Sequence, residues 1–271
     1  MTVVIECRDV GVLAGKRWLL RNIDLEIEQG EIIALAGPNG AGKSTLLAVM
    51  AGDIPANPGS VKLQGTPIES LRPKDLAIRR AVLPQQSVVQ FSFTAREIVE
   101  MGRTLRDRHG VDNLAVDQAM QSTDSAHLSP RIYPSLSVGE QARVSLARVL
   151  AQETPLLLLD EPTAALDVRH QHLVMEVSRN LASAGATIVV ILHDLNLAAA
   201  FADRIVLMCD GMIAGSGTPW EILSESLLGS VFECPFKVSQ HPMMSCPLVL
   251  PVFSSLDRSA HVEDMNNAMA S

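Results

Sequence analysis

The stretch from residue 32 to residue 52 constrains this chain more than any other. Five apolar residues, Ile32–Ala36, run straight into Gly37-Pro38-Asn39-Gly40-Ala41-Gly42-Lys43-Ser44, and a helical pattern follows from Ser44 and Thr45 to Ala51, with Gly52 behind it. An unbroken apolar run of that length suits a strand covered on both faces, as in a parallel sheet. The glycines let backbone N–H groups curl around an anion. A helix opening at Ser44 adds the positive end of its dipole, and Gly52 serves as its C-cap. In that strand, loop and helix context the spacing G-x-x-x-x-G-K-S is a phosphate-binding loop for a nucleotide. Lys43 is expected to neutralise the β and γ phosphates and Ser44 to ligate Mg2+. Gly37, Pro38, Asn39, Gly40, Ala41, Gly42 and Thr45 complete the expected nucleotide contacts.

A second apolar strand, Leu156–Leu159, ends in two adjacent acids, Asp160 and Glu161. The C-terminal end of a strand is where α/β sheets place their sites. Asp160 is expected in the Mg2+ shell, and Glu161 is expected to polarise an attacking water. A third segment reads Leu136-Ser137-Val138-Gly139-Glu140-Gln141. Ser137 and Glu140 make a capping box at the start of a helix reaching Gln152. The same helix start, with a Ser hydroxyl and a Gly N–H, can bind a γ-phosphate.

Further apolar runs at 187–192 and 205–208, with helical stretches between, make the class α/β. The opening third differs, with short antiparallel strands expected at 3–5, 18–27 and 60–63. Strand signals are absent from about 93 to 151. There Thr94-Ala95-Arg96-Glu97 is a capping box with Phe93 and Ile98 as its hydrophobic staple, 103–110 is a charged turn, and 117–123 a short helix. Thr218-Pro219-Trp220-Glu221 is another capping box, with Pro at the first helical position. The domain reading is one ATPase domain over 1–253, with a helical subdomain at about 93–151, and a polar tail over 254–271.

With 271 residues, 47% of them apolar, the chain can bury one large core and a modest subdomain. A net charge of −8 argues against a nucleic-acid partner, whose binding would rest on Lys and Arg. Cys7, Cys209, Cys234 and Cys246 form no C-x-x-C pair and read as reduced thiols of a cytosolic protein. The apolar start is too short for a signal peptide, and no run approaches the ~20 apolar residues of a spanning helix. A membrane role would therefore need a partner.

In this order the motifs resemble those of the ATP-binding subunits of ABC transporters, over nearly the whole chain to about residue 253. The resemblance adds three residues that the text around them would not single out. Gln85 matches the glutamine loop, which contacts Mg2+ or the attacking water. Asp167, in Ala165-Leu166-Asp167, matches the loop that organises a dimer interface. His193 matches the switch histidine at the γ-phosphate. The resemblance implies a P-loop NTPase (RecA-like) core with an antiparallel β-subdomain and an inserted α-helical subdomain. It also implies ATP and Mg2+ as ligands, hydrolysis at Glu161 with His193 and Gln85, and a head-to-tail pair of copies. In that pair Ser137 and Gly139 of one copy close over the nucleotide of the other. The implied partners are a polytopic membrane permease and, indirectly, a solute-binding protein, at the cytoplasmic face of the inner membrane.

Residues 45–52, 81–85, 93–94, 100–103 and 139–144 are similar to importers of haem, iron-siderophores and cobalamin. The segments Val231-Phe232-Glu233-Cys234-Pro235, His241-Pro242 and 247–251 are most similar to members that import haemin. Siderophore and cobalamin import remain the alternatives, and a soluble ATPase of the same family acting on nucleic acid or ribosomes is the competing class. His170, His172 and His241 are read as solvated surface residues and not haem ligands. Two departures stand out. Val138 replaces the usual Gly of the signature and is expected to slow the closed dimer. Leu13 or Ala14 stands where the family often stacks the adenine on an aromatic, and Trp18 reads as a packed strand residue, so the base is expected to be loosely held.

Overall fold

The computed structural model describes residues 2–85, 91–104 and 113–252; the tail expected over 254–271 and positions 105–110 of the charged turn lie outside them. The chain opens with two long strands, β1 (Val3–Ala14) and β2 (Arg17–Glu28), where shorter pieces were expected. Antiparallel pairing carries both to the turn at Gly15, through Leu13 opposite Trp18 and Ala14 opposite Arg17. These end residues are exposed, so their apolar pattern does not mark the strand. After β3 (Ile32–Ala36) and α1 (Lys43–Ala51), β4 (Ser60–Leu63) and β5 (Thr66–Pro67) complete an antiparallel sheet of order β2-β1-β4-β5.

Helix α2 (Pro73–Arg79) leads into β6 (Arg80–Leu83), a strand the apolar pattern did not single out. Its first residue is a cation. Arg80 Nε donates to the Ala51 carbonyl at 2.5 Å and its Nη2 pairs with Asp53 Oδ1 at 3.1 Å, so a charge can open a sheet strand. Next come α3 (Ala95–Glu100), α4 (Asn113–Ser122) and α5 (Val138–Ala151). The capping boxes at Thr94 and Ser137 both form. These helices share a separate apolar cluster that includes Ile98, Val116, Met120, Tyr133 and Val144, with Phe93 packed against it. Arg103 was expected in a charged turn but is buried: its Nη1 donates to the Ala151 carbonyl at 3.0 Å and to Glu153 at 2.5 Å.

The remainder is β7 (Leu156–Leu159), α6 (Val168–Ser183), β8 (Thr187–Ile191), α7 (Leu195–Phe201), β9 (Arg204–Cys209) and β10 (Met212–Gly217). It closes with α8 (Pro219–Ile222), α9 (Glu225–Phe232) and a hairpin of β11 (Phe236–Gln240) and β12 (Pro247–Pro251), which no sequence signal marked. The main sheet has order β10-β9-β3-β8-β7-β6, parallel except for β10. Its central strands are buried at every position because both faces are covered. Ile32, Ala34 and Ala36 face the cluster under α6, α7 and α9, while Ile33 and Leu35 face α1 and the antiparallel sheet. Each large side chain so buried contributes ~1.5–3 kcal/mol relative to exposure. Three strand ends, those of β3, β7 and β8, are thereby held along one rim.

Candidate functional site

The loop after β3 turns back on itself through glycines that no other residue can replace. Gly37 has φ of 140°, and a Cβ there would stand 2.2 Å from the Met208 carbonyl oxygen. Gly42, the N-cap of α1, has φ of 98°, and a Cβ there would stand 2.7 Å from the Leu19 carbonyl oxygen. Lys43 is buried inside the loop and donates to the carbonyls of Gly37 and Pro38, each at 2.8 Å. Burial pushes the Lys43 ammonium below its ordinary titration range, against the pull of Glu161 and Asp160.

Ser44 Oγ donates to Asp160 Oδ1 at 3.2 Å, which joins the loop to the end of β7. Burial raises the Asp160 carboxyl, and the neighbouring Glu161 adds to this, while the Ser44 hydrogen bond, Lys43 and His193 work the other way. Glu161 takes the left-handed φ of 51°, an uncommon conformation for a residue with a Cβ. Its carboxylate is held from two sides: His193 Nε2 lies 2.7 Å from Oε1, and Gln85 Nε2 donates to Oε2 at 3.1 Å. The structure therefore brings Lys43, Ser44, Asp160, Glu161, Gln85 and His193 together from four separate segments.

The loop lines an open cleft of about 580 Å³, through Asn39, Gly40, Ala41, Gly42, Lys43, Ser44 and Thr45, with Gln85 and Glu161 at its edge. Sequence reasoning missed part of the lining: Arg17, Arg21 and Asp210. It also misread Trp18. That residue belongs to β2, but it is 43% exposed and lines the cleft. Leu13, its partner across the hairpin, does not line it. The indole lies over β1, where a Cβ on Gly11 would stand 3.0 Å from its ring. Pairing Trp18 with Leu13 in a hairpin was the one signal available, since it puts the aromatic beside the position where one was sought.

Ser137, Gly139 and Asp167 do not line this cleft. Ser137 caps α5 by accepting the Glu140 N–H at 3.3 Å. Gly139 sits against the neighbouring loop, where a Cβ would stand 3.1 Å from the Ala165 carbonyl oxygen. Asp167 caps α6. Val138 is 72% exposed and lines a second cleft, of about 440 Å³, which runs from α5 to Gln85, Asp160 and Glu161. Of the histidines read as solvated, His172 is exposed and pairs with Glu176 at 3.1 Å, and His241 accepts the Met243 N–H through Nδ1 at 3.1 Å. His170 departs from that reading, with a side chain only 15% exposed between two carboxylates.

A family model for ABC transporters matches residues 20–164. The chain is 51% identical over 255 residues to the hemin import ATP-binding protein HmuV of Nocardia farcinica, covering 92% of this chain and 87% of that one. Among solved structures it superposes on a chain from an inward-facing structure assigned to a metal-chelate type ABC transporter, with a TM-score of 0.79, 26% identity and coverage of 94% and 100%. It also superposes on a dimeric ATP-binding cassette in a post-hydrolysis state with ADP and Pi, with a TM-score of 0.73, 27% identity and coverage of 79% and 98%. Identity of this order along nine-tenths of the chain speaks to ancestry and chemistry as well as to fold: the chain belongs to the ABC transporter family, in which it is a nucleotide-binding subunit and an ATPase.

Proposed function

We propose that two copies of this chain sandwich ATP and couple its hydrolysis to import of haemin through a polytopic membrane permease. One observation carries the hydrolytic part: the Glu161 carboxylate, held by His193 and Gln85, stands at the edge of the Lys43–Ser44 cleft. A carboxylate so placed can order and polarise a water for in-line attack on a γ-phosphate. Glu161 acts as the base, His193 contacts the γ-phosphate, and Gln85 orients the water. The loop from Gly37 to Ser44, with Thr45, binds the phosphates through backbone N–H groups and Lys43. Trp18 supplies an aromatic face for the base.

Ser44 Oγ and the Asp160 carboxylate, with the Gln85 amide nearby, form an oxygen donor set of the kind Mg2+ prefers. When bound there, the cation neutralises phosphate charge. It also relieves the burial cost of the Asp160 charge.

Ser137, Gly139 and Asp167 lie away from the cleft of their own chain, which supports a role at the cleft of a second copy in a head-to-tail pair. The helical part, about 93–151 within a domain of 1–253, and the Gln85 loop would receive the permease. Among the described residues no helix is long and apolar enough to cross a membrane, so attachment at the cytoplasmic face would run through that partner. The cargo rests on the likeness to the Nocardia farcinica hemin import protein. No residue of the cleft reads it. A haem-loaded solute-binding protein upstream is the expected source.

The test is ATPase activity of the chain reconstituted with its permease in vesicles. Haem-loaded binding protein enclosed in inverted vesicles is expected to stimulate hydrolysis of ATP added outside and to release haem from the lumen to that outer side. Stimulation by a ferric siderophore or cobalamin protein instead would overturn the cargo and keep the enzyme. Failure to hydrolyse ATP in any combination would overturn both.

A further inference from the structure

His170 stands between two carboxylates from different parts of the fold. Its Nδ1 lies 2.8 Å from Oδ1 of Asp167, the N-cap of α6, and the same oxygen accepts the His170 backbone N–H at 2.9 Å. Its Nε2 lies 3.4 Å from Oδ2 of Asp124, in the turn that follows α4. Asp124 holds a left-handed φ of 52°. From α5, Arg143 donates to the Asp124 carbonyl and stands 3.6 Å from its carboxylate. From α6, Arg169 pairs with that carboxylate at 3.3 Å. The charged groups around the ring are therefore Asp124, Asp167, Arg143 and Arg169.

An ordinary helix cap needs none of this. The Asp167 carboxylate already caps α6 through the backbone N–H, as Asp194 does for α7 by accepting the Asn196 and Leu197 N–H groups. What the ring adds is reach. An imidazole carries a nitrogen on each side of the ring, so it can face two groups at once. With a nitrogen toward each acid and little exposure to water, the ring spans from the α6 cap to the helical part of the fold.

We infer that His170 is a positioning residue that ties the Asp167 cap to the helical part through Asp124, so that a shift of that part is transmitted to the Asp167 loop. The inference rests on the proposed head-to-tail assembly, in which that loop meets the second copy. ATP-driven pairing of copies then depends on the bridge, while the fold does not. Arg143 and Arg169 keep Asp124 compensated when the histidine is removed.

The experiment uses the full chain carrying Glu161→Gln, in which hydrolysis is expected to be slow, and measures by light scattering the ATP concentration at half-maximal dimerisation. His170→Ala and Asp124→Asn are each expected to raise it about fivefold, and the double variant no further, because both remove one shared interaction. His170→Asn is the discriminating variant. Its amide can replace Nδ1 at Asp167 but cannot reach Asp124, so it is expected to behave like His170→Ala. Melting temperatures of all variants report folding separately. Wild-type-like dimerisation by His170→Asn would reduce the residue to a cap and overturn the relay, as would additive effects in the double variant. A parent chain that fails to dimerise with ATP overturns the assembly and the relay together; a parent that dimerises beside single variants that match it overturns the relay alone.

Discussion

His193 Nε2 meets Glu161 Oε1 at 2.7 Å although the two residues lie 32 positions apart in the chain. Glu161 follows β7 by two residues and His193 follows β8 by two. The strands are parallel neighbours in register, Leu159 opposite Val190, so their C-terminal ends come out on the same rim. Gln85 arrives there the same way, two residues past β6 on the other side of β7. Three acid, base and amide groups converge because three adjacent strands end together.

Replacing the proposed base tests that convergence. Glu161→Gln keeps the size and the hydrogen-bonding shape but cannot take a proton. Phosphate release is expected to fall by about 10²–10⁴-fold with ATP binding retained. Near-normal turnover would show that another group activates the water.

Asp160 links charge burial to stability. Its carboxyl is raised in the folded chain, chiefly by burial, so the folded state holds that proton more tightly than the unfolded state. Such a group adds stability below the ordinary aspartate value of 3.8, and that contribution is lost as pH rises through the raised folded value. At neutral pH, with chelator and no added nucleotide, Asp160→Asn is expected to melt at a higher temperature than the wild type, with the gap narrowing in mild acid. The same variant is expected to lose ATPase activity. A lower melting temperature at neutral pH would contradict the sign of this account.

Trp18 offers a flat face to a purine without polar selection. Trp18→Ala is expected to weaken ATP binding by about tenfold, and Trp18→Phe by much less. The chain has two tryptophans, and Trp220 lies in α8 with its indole N–H on the Ser245 carbonyl. Quenching of tryptophan fluorescence by ATP should therefore disappear in Trp18→Phe. GTP is expected to compete with ATP to within about tenfold, since stacking does not read the purine edge. No quenching in the wild type would remove Trp18 from the site.

Val138 occupies the first position of α5 with 72% of its surface exposed, beside the Ser137 cap and the Gly139 contact with Ala165. Val138→Gly is expected to raise ATPase turnover about two- to fivefold by clearing the face that approaches a second copy. The local cost in helix propensity is about 0.5 kcal/mol at a helix end. Turnover unchanged from wild type would show that the Cβ does not obstruct closure.

Features carried by contiguous residues with a strong local signal were legible in the chain alone, whereas β6 and the β11–β12 hairpin were not. The phosphate loop, the strands ending in Ala36 and Leu159, and the capping boxes at Thr94, Ser137 and Thr218 are local physics: backbone freedom at glycine, apolar continuity and orphan N–H groups of a helix start. Each forms where it was read. Gln85, Asp167 and His193 have no local signature, and only the ordered family pattern raised them. Tertiary structure alone decided which of them meet, because a rim is made by strands that pair across long stretches of chain. It also decided the fate of two residues that local reasoning placed wrongly. Trp18 reads as packed within its strand but lines the cleft, since it sits near the exposed end of the β1–β2 hairpin, and which end residues meet the phosphate loop is a matter of how separate segments pack. His170 reads as solvated, yet it is enclosed by Asp124 and Asp167, because its surroundings come from a helix cap and a turn 46 residues upstream.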